Sequence, residues 1–160
     1  MSKEIYGFAD LPVPVDPERD RAALAKTTPL GVFSIDANRL FGFPPDLQPD
    51  NHSLLFAIGD SPESTNAESL LDHQDYDPQS DIPLPLDAAE RLSLLADLLY
   101  GMFSILRCTR VSVCLTQCNE VDEVQHIAAS EIRSRLKTDC AAESPPCKIY
   151  VVTRDVQSVR

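Results

Sequence analysis

The chain has 160 residues, with 25 Asp plus Glu against 14 Lys plus Arg, a formal net charge of −11 and an isoelectric point near 4.5. This length makes one domain with a real hydrophobic core the default, and 43% hydrophobic with 24% charged residues describes a globular chain rather than a disordered one. So acidic a surface argues against direct binding of DNA or RNA, whose phosphates need Lys and Arg, and equally against docking on anionic lipid.

The N-terminal MSKEIYGFAD lacks the apolar run of a signal peptide. A cytoplasmic location is expected, in which the five cysteines stay reduced, and their odd number agrees with that. Residues 1–16 carry Pro12 and Pro14, a spacing that favours an extended arm over a helix. Asp16-Pro17-Glu18 reads as a helix start running to about Lys26, with Pro29 beyond its end. Gly31 to Phe41 is ambiguous between strand and helical turn. After the prolines at 44, 45 and 49, Ser53 to Ile58 is a short apolar run closed by Gly59-Asp60, the pattern of a buried strand.

The charge is uneven. From Leu40 to Glu90 there are 11 acidic residues and no Lys or Arg, so the remainder of the chain balances at 14 of each sign. Residues 60–86 within this stretch read as a long acidic surface loop, with a brief helix at Ala67 to Leu71 as its one element of structure. A region of one sign projects a field that attracts and steers a basic partner; the bland alternative is a solvated loop kept acidic for solubility.

Asp87 opens the clearest helix, 87–106. Asp87 and Glu90 have capping-box spacing, and apolar residues on most sides make this a central, buried helix. The same stretch is too short to span a bilayer, and Asp97 interrupts it. Arg110 to Thr116 alternates as a strand does, and Lys148 to Thr153 is a second strong strand. Between them Val121, Val124, Ala128, Ile132 and Leu136 lie at helical spacing, which predicts a helix near 121–137 opened by Asn119. Together they predict a C-terminal βαβ unit over 110–154. The expected architecture is one α/β domain over 1–160 with a mixed or parallel sheet of 3–5 strands.

Sites for chemistry are sparse. Cys108, Cys114, Cys118, Cys140 and Cys147 cluster in sequence but lack zinc-knuckle spacing. Asp75, Asp77 and Asp81 could offer oxygen ligands, yet the glycine and terminal glutamate of a calcium loop are missing. Phosphate-loop and hydrolase motifs are absent. No cofactor or metal is therefore expected. Cys118, between a strand end and a predicted helix start, is the best nucleophile candidate, and a small cysteine or carboxylate enzyme is one alternative function. An assembly subunit using part of the 92–106 stripe is another.

The reading that uses the dominant feature is an acidic binding or inhibitor protein. In size and charge the chain resembles small immunity proteins that neutralise bacterial toxins, and phage-encoded acidic inhibitors. Its acidic segment would cover the basic cleft of a partner such as a nuclease. Asp60, Glu63, Glu68, Asp72, Asp75, Tyr76, Asp77 and Asp81 would make the contact, with Tyr76 as anchor.

Overall fold

A computed structural model describes residues 3–143 and 145–155. The polypeptide is a single mixed α/β domain. Its strands are β1 (Lys3–Asp10), β2 (Gly31–Ser34), β3 (Ser53–Gly59), β4 (Arg110–Gln117), β5 (Glu123–Ala128) and β6 (Lys148–Thr153). Its helices are α1 (Pro17–Ala25), α2 (Ala88–Ile105) and α3 (Ile132–Ala142), with single 3-10 turns at Ala37–Arg39 and Ala129–Glu131. The six strands form one sheet in the order β2-β3-β1-β4-β6-β5, antiparallel throughout except for the β5–β6 pair.

Alternation along the strands builds two unequal cores. Ile5 and Ala9 of β1, Leu54, Phe56 and Ile58 of β3, Val111, Val113 and Leu115 of β4, and Tyr150 and Val152 of β6 face the helical layer. There they meet Leu24 of α1, the buried face of α2, and Ile132 and Leu136 of α3. The intervening residues Tyr6, Phe8, Cys114, Ile149 and Val151 face the opposite side, where Leu40, Phe43 and Leu47 of the β2–β3 connection cover them. The Phe8 and Phe43 rings stand 5.6 Å apart. The central strands are thus buried on both faces, which is why β4 combines a regular period of two with apolar or small residues at nearly every position.

Five expectations change. Among the described residues the sheet has six strands, not 3–5. The extended N-terminal residues run through its middle rather than forming an arm: β1 lies between β3 and β4, and Pro12 and Pro14 fall just past the strand, where they remove no ladder donor. Residues 123–128 are a strand where a helix was expected. Val124 and Ala128 suggested the helical spacing, but Ile127 is the residue buried, with Val124 37% exposed. The two strands of the expected βαβ unit, β4 and β6, are consequently antiparallel neighbours, and the parallel crossover is β5-α3-β6. At Ala67 to Leu71 one hydrogen-bonded turn forms, Leu71 N donating to Ala67 O at 3.0 Å, without becoming a helix.

Candidate functional site

The acidic stretch from 60 to 87 leaves the end of β3, crosses the molecule without strand or helix, and enters α2. One residue explains why it holds a shape. Arg91, one turn into α2, is 0% exposed. Its Nη1 donates to Pro85 O and Leu86 O, both at 2.8 Å, and its Nη2 donates to Asp72 O at 3.1 Å and Gln74 O at 2.6 Å. The guanidinium carbon also stands 4.3 Å from the centre of the Tyr76 ring. The cation is thus spent on the backbone of the loop. Among the described residues its Nε finds no hydrogen-bond partner. Sequence reasoning missed Arg91. The signal available was a lone cation at the border of a base-free stretch, on a helix apolar on most sides.

The predicted contact residues divide by role. Asp60 ties the loop internally: its carboxylate accepts from Ser69 N at 3.0 Å and Leu70 N at 2.8 Å. Asp72 accepts from Gln74 N at 3.0 Å and from the Tyr76 hydroxyl at 2.9 Å. Burial works against its charge, but those two hydrogen bonds, with Lys3 and Arg91 nearby, hold its carboxyl below the ordinary aspartate value. Tyr76 is half-buried: its amide donates to Leu86 O at 2.8 Å, and burial together with the Asp72 carboxylate raises its hydroxyl pKa. Asp75 accepts from Ala88 N at 2.9 Å and so joins Asp87 in capping α2. Asp77 accepts from Gln79 N at 2.8 Å, and Glu68 from Lys3 N at 2.9 Å. Glu63, Glu68, Asp75, Asp77 and Asp81 are exposed. Among the described residues, none of the 11 carboxylates between 40 and 90 forms an ion pair.

The chemical alternatives find less support in the geometry. Cys118 and Asn119 have φ of 57° and 61°, and Glu120 N donates to Gln117 O at 3.2 Å, closing a tight turn with both central residues left-handed. Cys118 is exposed there, but β5 follows the turn, so the helix dipole that would have activated the thiol is missing. The other four cysteines are buried and unpaired. Burial pushes the Cys108, Cys114 and Cys140 thiols up to about 12. Among the described residues, no group of three His, Cys, Asp or Glu is placed to hold a metal ion. Most of the 92–106 stripe is buried, with Tyr100 and Ile105 its exposed large hydrophobics. No described helix is long and apolar enough to cross a membrane. Comparison with known proteins finds no matching family model, no matching curated sequence and no matching solved structure.

Proposed function

We propose that this protein is an acidic binding protein that neutralises a basic partner, as an immunity-type inhibitor covering the cleft of a toxin such as a nuclease. The observation that carries the reading is a clamped segment whose carboxylates, among the described residues, form no ion pair. Arg91 fixes the path of 72–86 through backbone carbonyls, so it organises the loop without a carboxylate partner. A surface of fixed negative charge suits a cleft built to hold phosphates, and it steers encounter over distances near the Debye length, about 10 Å in 0.1 M salt. The roles within the segment are divided. Asp60, Asp72 and Tyr76 shape it, while Glu63, Asp77 and Asp81 meet the partner, with Glu68 and Asp75 beside them. A cytoplasmic setting, with all thiols reduced, accords with this reading.

The test is retention and release. The protein is immobilised at low salt, exposed to lysate of its source cell, and eluted with a salt gradient; the eluate is assayed for nuclease activity with and without added protein. A basic nuclease that is retained, inhibited on re-addition, and bound at least tenfold more slowly by the triple variant Glu63→Gln, Asp77→Asn, Asp81→Asn supports the proposal. Equal retention by wild type and triple variant overturns it.

A further inference from the structure

The two edges of the sheet are treated differently. At one edge β2 has four residues, α1 packs along it, and Arg21 Nη1 donates to the Val32 carbonyl at 3.1 Å. Gly31 lies so close to the Ser61 carbonyl that a methyl group placed on it would approach to 2.2 Å. This edge is short and covered, as exposed edges of native sheets usually are. At the other edge β5 has six residues and contains no proline, and among the described residues β6 is the one strand it pairs with. Half of the backbone groups of a strand paired on a single side point outward. Val124, 37% exposed, and the exposed His126 lie on this strand, and both belong to the row opposite the buried Ile127.

The side chains around the edge have one predominant sign. Glu120, Asp122, Glu123 and Glu131 are all exposed. The neighbouring Lys148 is turned inward, its side chain 18% exposed and its Nζ 3.4 Å from Glu123 and 3.2 Å from Asp139. A second copy of this chain would bring the same four carboxylates against themselves. We infer that the β5 edge is a docking site for an extended, basic segment of a partner protein, which adds as a seventh strand through main-chain hydrogen bonds, with its cationic side chains beside Glu120, Asp122 and Glu131. This surface is separate from the 60–90 segment, and the inference does not depend on the function proposed above.

The probe is a short capped peptide of alternating lysine and valine, titrated into the full-length protein while backbone amides are followed by NMR. The expected result is shifts and slowed hydrogen exchange centred on 123–128. Both should be lost when alternate peptide amides are N-methylated, and absent with the glutamate–valine counterpart. The double variant Asp122→Lys, Val124→Lys, at two exposed positions, should weaken binding at least tenfold. Shifts confined to residues 60–90, binding indifferent to N-methylation, or no response overturns the inference. Concentration-dependent protection of 123–128 without peptide would identify a second copy as the occupant and overturn it likewise.

Discussion

The Arg91 guanidinium ends on four backbone carbonyls, so the clamp is a set of charge-assisted hydrogen bonds rather than an ion pair. Truncating it leaves those carbonyls without a charged donor and a hole beside Tyr76. Hydrogen bonds to charged groups contribute about 1.5–3 kcal/mol each, and carbonyls near the surface regain water, so Arg91→Leu should cost about 3 kcal/mol in urea unfolding. Arg91→Lys, which keeps the charge but not the fork, should recover less than half of that. In both variants the Tyr76 amide should exchange faster. The pH dependence belongs to Asp72. Its folded-state pKa is depressed, so its stabilisation is fully present above the ordinary aspartate value of about 3.9 and is lost as pH falls through the lower folded value. Asp72→Asn should therefore be less stable than wild type at neutral pH, with the two curves converging in acid; parallel curves would show the hydrogen bonds to be irrelevant. At this scale the sequence displayed the acidic residues but not their division into shaping and exposed groups. That division depends on which backbone amides the loop turns toward each carboxylate.

Among the elements, α2 was the most legible because three independent signals coincide: the Asp87 cap, the apolar period and the length. Its start is held by two acids rather than one. Asp87 accepts from Ala89 N at 2.8 Å and Glu90 N at 3.3 Å, while Asp75 reaches Ala88 N from the loop. Because they serve different amides, Asp87→Ala should cost about 1 kcal/mol and Asp75→Ala should add to it, read as successive falls in Tm. The start of α1 at Asp16-Pro17 was equally plain, Asp16 accepting from Arg19 N at 3.3 Å. β5 was not legible. Its residues EVQHIA carry both a period of two and a helical spacing when joined to the α3 residues Ile132 and Leu136. Six residues at a sheet edge bury too little to decide between the two, and pairing with β6, some twenty residues later in the chain, settles it. β1 was hidden for a different reason: prolines just beyond a strand look the same in sequence as prolines within an arm.

For the molecule as a whole, burial sorts the thiols. With Cys118 exposed and the other four cysteines buried, native protein should release one equivalent of colour promptly with Ellman's reagent, and the rest at the rate of opening. Several fast equivalents would mean that the core opens far more readily than its packing implies. The α/β class and the concentration of charge in one third of the chain were both legible from composition and pattern. Strand order was not, because it is set by contacts distant in sequence. That order has a consequence for how the chain acquires its structure. The strands β2, β3, β1 and β4 are neighbours in the sheet and are all available once Gln117 has been made, so they can assemble as a block. β5 cannot join them directly. It waits for β6 to slot between itself and β4, a step that needs residues up to Thr153. Until then the chain presents the apolar flank of β4 as an open edge, so released C-terminal truncations ending between residues 118 and 147 should be the forms most readily captured by chaperones.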